Sequence, residues 1–237
     1  MPRLSDFTTA RVDLGQAGDS LPTPALLDFR LAHARARDAV HLPLDMRSMA
    51  AEMAAHGWSS APLTSKAASR EAYLLRPDWG RSLSETSHEA LGDYPKPLPT
   101  VIAVADGLSA LAIHRHAASL LAALEETGEP IGTIFLIQQG RVAISDDLGE
   151  ALSSDLCVLL IGERPGLSSP DSLGVYLTWR PHRGCTDAQR NCVSNIHQQG
   201  LSYPAAAQKI AYLIGESRRL KLTGVALKER ADQIAGS

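Results

Sequence analysis

The stretch Leu156-Cys-Val-Leu-Leu-Ile-Gly-Glu-Arg-Pro-Gly166 determines how we interpret the rest of the chain. Its first half is apolar, contains β-branched side chains and ends at Gly162, a pattern typical of a short buried strand. Glu163 and Arg164 then place two opposite charges in the loop after that strand. Ligands of open α/β sheets bind outside the carboxyl ends of the strands, so this loop is a candidate binding site.

Strand patterns alternate with helix patterns on both sides of this stretch. Apolar strand patterns cover 101–105, 133–137, 156–161 and 173–179, and helical spacing of apolar residues covers 109–128 and 202–214. We interpret 140–144 as a strand extension or an edge strand, and 180–200 as a long polar loop. The alternation predicts an α/β fold, with a mostly parallel, Rossmann-like sheet and helices on both faces.

Helix signals dominate the first part of the chain. Thr23 is a predicted N-cap, and Pro24 suits the first helical position, where its missing N–H costs nothing. Asp45 caps a second predicted helix, whose methionines at helical spacing indicate core packing. Pro77 is the predicted start of a further helix that runs to about Leu91.

A proline-rich stretch at 94–99 separates this helical part from the α/β part. Three prolines within five residues exclude both a helix and a central strand. We therefore predict a loosely ordered lead-in at 1–20, an N-terminal helical region at 21–94 and an α/β, ligand-binding domain at 100–237.

The composition is that of an ordinary globular protein: 44% of the residues are hydrophobic, 21% are charged and the net charge is −3. This balance does not favour binding to nucleic acid or to an anionic membrane surface. No apolar run approaches 18 residues, so we expect no transmembrane helix, and the first residues lack an apolar signal core. Three cysteines without paired spacing fit a reducing cytosol better than a disulfide framework.

The residues alone leave the chemistry open. Asp106 follows the strand at 101–105 and would share an edge with Glu163 if both strands are parallel. On local sequence, Asp106 is first of all an ordinary turn residue, and Glu163 with Arg164 could be a solvated ion pair of little energetic value. The sequence contains no dinucleotide fingerprint, Walker loop or Gly-x-Ser-x-Gly elbow. Four possible zinc ligands lie close together in the sequence, but their spacing is not that of a zinc site: His182, Cys185, Cys192 and His197.

Several motifs, in their order along the chain, resemble those of the small (light) subunits of ethanolamine ammonia-lyase. The most specific are Gly162-Glu-Arg-Pro-Gly-Leu167 and Arg190-Asn-Cys-Val-Ser-Asn-Ile-His197, and others lie at 21–27, 73–81, 105–109 and 140–142. Together they cover nearly the whole chain from about residue 11. One motif departs from the family's commoner pattern, since Ser82 stands where a second basic residue usually follows Pro-Asp-x-Gly.

The resemblance implies an ammonia-lyase, a carbon–nitrogen lyase that converts ethanolamine to acetaldehyde and ammonia by a radical rearrangement started from adenosylcobalamin. It also implies a large, barrel-shaped subunit that binds ethanolamine and carries most of the catalytic residues, with no catalytic residue in this chain. The small subunit would clamp the cobalamin at the interface between the two, and we expect a hexamer of large–small pairs. Family members act in the cytoplasm, often within a bacterial microcompartment.

By matching motif positions, the resemblance implies three cobalamin-binding residues in the domain at 100–237. Glu163 suits this role because an ionised carboxylate accepts hydrogen bonds from the amides that edge a corrin. Val142 would contact the cofactor through its backbone or by packing, and Cys192 could likewise act through its backbone rather than ligate cobalt. The sequence has no Asp-x-His-x-x-Gly signature, so we expect the cofactor to keep its own base. Arg164 either orients Glu163 from behind or reaches the large subunit.

A second hypothesis from a different class stays open at this point. The chain could be a free-standing α/β module that binds a small ligand at the same sheet edge and has no lyase activity. Copurification with a large barrel subunit, or its absence, distinguishes the two hypotheses.

Overall fold

A six-stranded sheet forms the centre of the computed structural model, which describes residues 18–227 together with Val12, Leu14 and Gly15. Its strands run in the spatial order β1-β3-β2-β4-β5-β6. The bounds are β1 (Ser60–Thr64), β2 (Thr100–Ala105), β3 (Ile134–Gln138), β4 (Leu156–Gly162), β5 (Leu173–Trp179) and β6 (Arg190–Ile196). The first four strands are parallel to one another, whereas β5 pairs antiparallel with β4 and β6 antiparallel with β5.

Helices cover both faces of this sheet. Their bounds are α1 (Thr23–His41), α2 (Met46–Ala55), α3 (Arg70–Leu75), α4 (Glu85–Ala90), α5 (Ala110–Glu126), α6 (Ile144–Ala151) and α7 (Tyr203–Leu220). Side chains of α2, α5 and α7 share one hydrophobic core with the sheet, and side chains of α6 share the other. No helix in the described part is both long and apolar enough to span a membrane.

The central strand β4 contributes to both cores because its side chains alternate between the two faces of the sheet. Leu156, Val158 and Leu160 join the core beneath α5 and α7. On the opposite face, Leu159 and Ile161 join the core beneath α6. Every residue of β4 is buried, which is why its sequence is continuously apolar rather than alternating.

The predicted α/β class is confirmed, while the predicted parallel, Rossmann-like sheet is confirmed only in part because the sheet is mixed. The prediction of a loop throughout 180–200 is wrong, since β6 lies within it. A register shift between β5 and β6 and the exposure of one face leave β6 without a two-residue apolar period. The prediction of strand structure at 140–144 is also wrong, because these residues form a turn that leads into α6.

The N-terminal region is helical but also supplies the edge strand β1, which the sequence pattern did not reveal. Asp45 caps α2 as predicted, accepting a hydrogen bond from Ser48 N at 3.0 Å. Thr23 is the first residue of α1 rather than its cap, a position that Pro22 takes. The helix predicted from Pro77 is wrong: a short 3₁₀ turn (Trp79–Arg81) and α4 occupy that stretch.

Asp147 of α6 connects three segments on the α6 face of the sheet. Its buried carboxylate accepts hydrogen bonds from the backbone N–H of Leu83 at 2.7 Å and from Arg183 Nε at 2.7 Å. The Nε2 atom of His88, on α4, lies 3.1 Å from the same carboxylate. The side chain therefore ties α6 to the start of α4 and to the segment that follows β5.

Replacing Asp147 by alanine should lower the free energy of unfolding by roughly 1–3 kcal/mol, because the buried Leu83 N–H loses its acceptor. Urea denaturation of the full chain measures the change. Asp155→Ala is the control, since Asp155 is exposed and its replacement should change stability by less than about 0.5 kcal/mol. Equal stabilities of the two variants would contradict the structural role of Asp147.

Candidate functional site

The carboxyl ends of β2, β3 and β4 meet at one edge of the sheet because these strands are parallel. Asp106 follows β2, Gly140 lies just after β3 and Glu163 follows β4. The segment at 73–81 packs against the same edge, where the hydroxyl of Tyr73 donates to the carbonyl oxygen of Gly140 at 3.1 Å. Motifs that lie far apart in the sequence thus converge on one surface.

A cleft of about 390 Å³ opens at this edge, and we call it the Glu163 cleft. Val142 and Glu163, two of the three predicted cobalamin contacts, both line it, as do Tyr73, Arg164 and Tyr176. Strand β4 supplies its floor through Ile161 and Gly162. The structure therefore brings two predicted contacts, which are far apart in the sequence, into one concave surface.

A second cleft of about 480 Å³ adjoins the first, and we call it the Arg81 cleft. The two clefts share Arg141, Val142 and Tyr176 as lining residues. Charged side chains line much of the second cleft, whereas the first exposes mainly apolar surface. The lining residues specific to the Arg81 cleft are Pro77, Arg81, Ala143, Cys185, Thr186, Asp187 and Arg190.

Two glycines allow the loops after β2 and β4 to touch at the base of the Glu163 cleft. Gly107 has a φ of +53°, which favours glycine, and a Cβ there would overlap the carbonyl oxygen of Gly162. A Cβ on Gly162 would in turn overlap the carbonyl oxygen of Ser109. The carbonyl of Gly162 accepts a hydrogen bond from Leu108 N at 3.0 Å, so the two loops are held together through their backbones.

Glu163 is half-buried and is held from one side. Its Oε2 atom accepts hydrogen bonds from Ser172 Oγ at 2.5 Å and from Asn195 N at 3.3 Å. Its Oε1 atom accepts no hydrogen bond from the described residues, and a Cβ on Gly174 would come within 2.8 Å of it. The carboxylate is thus fixed in position while one oxygen stays available to a donor.

Arg164 does not pair with Glu163 in the described part of the chain. Its side chain is exposed and makes no hydrogen bond or ion pair there. Ser172 and Asn195 hold the Glu163 carboxylate instead. No contact therefore supports the idea that Arg164 orients Glu163. The alternative, that Arg164 contacts a large subunit, stays a prediction.

Cys192 lies beside the clefts rather than in them. It is an exposed residue of β6, directly opposite Tyr176 of β5. Burial, followed by the neighbouring Cys192 thiol, raises the pKa of Tyr176 above its ordinary value, so the phenol keeps its proton into the alkaline range. Since Tyr176 lines both clefts, Cys192 adjoins them through this ring.

The sequence did not predict the role of Asp106 in holding this edge together. The Oδ1 atom accepts a hydrogen bond from Gly140 N at 3.1 Å, and Oδ2 lies 3.3 Å from Arg70 Nη1. Arg70 also donates to the carbonyls of Gly107 at 2.9 Å and Val40 at 2.7 Å. Asp106 therefore positions the loops of β2 and β3. The motif at 105–109 contains Asp106 and could have drawn attention to it. Its partners could not be predicted, because Arg70 and Gly140 are remote in sequence.

Two arginines flank Tyr73, and the sequence assigned none of the three a function. The guanidinium groups of Arg70 and Arg141 lie 4.8 Å and 4.4 Å from the centre of the Tyr73 ring. Gly80 fits against this group, since a Cβ there would come within 2.8 Å of both Arg141 and Tyr73. The motifs at 73–81 and 140–142 are thus one packed unit in the structure.

The described residues contain no group of three or more His, Cys, Asp or Glu side chains that could hold a metal ion. Of the set considered for zinc, His182 and Cys185 are near each other, with Nδ1 and Sγ 3.4 Å apart. His197 instead contacts Asn195 at 2.9 Å.

Comparison with known proteins points to one family. The family described as ethanolamine ammonia-lyase light chain matches residues 1–228. Ethanolamine ammonia-lyase small subunits from Pseudomonas fluorescens and Ralstonia nicotianae are each 51% identical to the chain, over 96% and 97% of its length. The small subunit from Pseudomonas aeruginosa is 49% identical over 97% of the chain. The matches cover 86%, 88% and 87% of these relatives, respectively.

The buried carboxyl of Asp106 should make stability depend on pH. Burial raises the pKa of Asp106 to about 6, although Arg70 opposes the shift. The folded chain therefore holds a proton that the unfolded chain releases near pH 4, and this contribution to stability is lost as the pH rises through 6. Between pH 4 and pH 7, the wild type should lose roughly 2 kcal/mol relative to Asp106→Asn.

Urea denaturation of both proteins at several pH values measures this difference. Weaker contacts with Arg70 and Gly140 lower the free energy of unfolding of the variant at every pH. The informative quantity is therefore how the difference in unfolding free energy between the two proteins changes with pH. Asp93→Asn, at an exposed position, is the control for general pH effects. A wild-type-minus-variant difference that stays constant with pH would contradict the raised pKa of Asp106.

Proposed function

The chain belongs to the family of ethanolamine ammonia-lyase light chains, and from that premise we propose that it holds the cobalamin of this enzyme at the interface with a large subunit. The proposed reaction converts ethanolamine to acetaldehyde and ammonia. Adenosylcobalamin, when bound, supplies the radical that starts the rearrangement, while the protein orients the reactants and excludes water.

The observation that carries this proposal is the free oxygen of the Glu163 carboxylate in its cleft. A corrin is edged by amide groups, whose N–H donors need acceptors once the cofactor leaves water. Glu163 Oε1 is such an acceptor, and Ser172 and Asn195 fix its position in advance. Hydrogen bonds to an ionised acceptor are the stronger kind, so the side chain fits the edge of a corrin.

The two other predicted contacts suit less specific roles. Val142 lines both clefts and can touch the cofactor only through its backbone or by packing. Cys192 is exposed beside Tyr176, where its backbone or thiol can meet the edge of a ligand that extends over β5 and β6. We assign neither residue to the cobalt.

The open shape of the clefts fits a subunit that binds only one face of its cofactor. Clefts of about 390 and 480 Å³ match drug-sized molecules, and a cobalamin is considerably larger. A large subunit must then cover the opposite face, and we assign to it the ethanolamine site and the catalytic residues. On the same family grounds we propose a hexamer of large–small pairs in the cytoplasm, within a bacterial microcompartment.

Replacing Glu163 by alanine should weaken cobalamin binding to the assembled large–small complex while leaving the chain folded. The expected loss is about 1.5–3 kcal/mol, as for a hydrogen bond to a charged group. Equilibrium titration of the complex with cobalamin measures it. Glu89→Ala is the matched control, because Glu89 is an exposed carboxylate of α4 and lines neither cleft. Unchanged affinity in Glu163→Ala would remove Glu163 from the binding site.

Coexpression with the large subunit tests the assembly. The chain should copurify with the large subunit, and the pair should bind cobalamin that neither subunit alone retains, since each covers one face. Size-exclusion chromatography and the visible absorbance of the cofactor provide the two readouts. A chain that stays monomeric and binds no cobalamin in the presence of the large subunit would favour the free-standing binding module.

A further inference from the structure

The Arg81 cleft carries positive charge that the described residues leave unpaired. Three arginines line it, but Arg190 forms a buried, two-bonded ion pair with Asp146, at 2.9 and 2.7 Å. Asp187 is the acidic residue among the lining side chains, and it lies near Arg190, with Oδ1 3.7 Å from Nε. The charges of Arg81 and Arg141 are therefore the ones available to a ligand.

The guanidinium of Arg81 has no hydrogen-bond acceptor in the described part of the chain. Its side chain is exposed and makes no hydrogen bond or ion pair with a described residue. Its backbone is nevertheless fixed, because it ends the 3₁₀ turn and donates to the carbonyl of Asp78 at 3.2 Å. A fixed backbone under a free guanidinium suits recognition of an anion in the adjoining cleft.

Arg141 is positioned by Tyr73 and still lacks an acceptor. Its guanidinium lies 4.4 Å from the centre of the Tyr73 ring, and Nη2 donates to the Tyr73 carbonyl at 3.3 Å. Its Nε atom is buried without a hydrogen-bond partner among the described residues. A ligand in the cleft would therefore meet the guanidinium at its Nη atoms, and no acidic side chain among the described residues neutralises the charge there.

The N-terminus of α6 supplies backbone N–H donors at the same place, and the two carboxylates of its first turn, Asp146 and Asp147, are paired with Arg190 and Arg183. Val142 and Ala143 precede the first residue of α6 and line the Arg81 cleft. Neither backbone N–H donates to an acceptor within the described residues, whereas the next three N–H groups do. Free N–H groups at a helix start, together with the helix dipole, attract anions.

We propose that Arg81 and Arg141, with the backbone N–H groups of Val142 and Ala143, bind the phosphodiester in the nucleotide loop of cobalamin. This inference rests on the proposed function. The amides around the corrin are uncharged, whereas the phosphodiester carries a negative charge at neutral pH. The two clefts share lining residues, so a corrin edge at Glu163 and a phosphate at Arg81 can belong to one bound molecule.

The test compares three probes on the assembled large–small complex. Cobinamide lacks the nucleotide loop and its phosphate, cobinamide phosphate restores the phosphate without the base, and cobalamin carries both. Arg81→Gln should weaken cobalamin and cobinamide phosphate about 10- to 100-fold, as expected for a lost charged hydrogen bond, and leave cobinamide within about twofold. Arg141→Gln should show the same selectivity.

Arg76→Gln is the matched control, because Arg76 is exposed on the same segment and already pairs with Asp78 at 2.7 Å. It should leave the affinities of all three probes unchanged. Circular dichroism of each variant, and its assembly with the large subunit, identify any variant that fails to fold. Because Arg81 is exposed, its variant keeps the test decisive if Arg141→Gln loses its packing on Tyr73.

Equal losses for cobinamide and cobalamin would overturn the phosphate assignment and leave the proposed function intact. Failure of the wild-type complex to bind any of the three probes would instead overturn the proposed function. Inorganic phosphate provides the last comparison. If the arginine variants change inhibition by phosphate but not cobalamin affinity, the site binds a free anion and the assignment is wrong.

Discussion

The buried carboxylate of Asp106 is the interaction on which the geometry of the ligand edge depends. Asp106 accepts a hydrogen bond from Gly140 after β3 and contacts Arg70 of α3, which in turn binds the carbonyls of Gly107 and Val40. A single side chain thereby fixes the ends of two strands and one helix of the N-terminal region. The loop that carries Glu163 is held in place as well, because the backbone at Gly107 packs directly against that of Gly162.

The two clefts at this edge differ in chemistry in a way that matches the parts of one large ligand. The Glu163 cleft is mainly apolar and offers one carboxylate oxygen, which suits the flat, amide-edged corrin. The Arg81 cleft offers guanidinium and backbone N–H donors, which suit an anion. Both are open to solvent on one side. A subunit built in this way gains its function only when a partner closes the opposite face.

Sequence periodicity predicted β2, β3, β4 and β5 because each is apolar on both faces or alternates cleanly. It missed β1 and β6, the edge strands of the sheet. Edge strands pair on one side only, and their exposed faces admit polar residues, so their patterns resemble loops. Of the candidate site, strand order placed Glu163 at the sheet edge, whereas Val142 was named from motif resemblance alone. Sequence patterns assigned no roles to Tyr73, Arg81 and Arg141.

By itself the sequence determined the α/β class, the buried strand that ends at Gly162 and the loop that carries Glu163, because burial and turn chemistry are local properties of the chain. Its ordered motifs also indicated the family. Only the tertiary structure decided that the motifs at 73–81 and 140–142 form one packed unit and that Ser172 and Asn195, rather than Arg164, hold Glu163. These contacts join residues remote in sequence, and their partners depend on strand order and register, which no local pattern encodes.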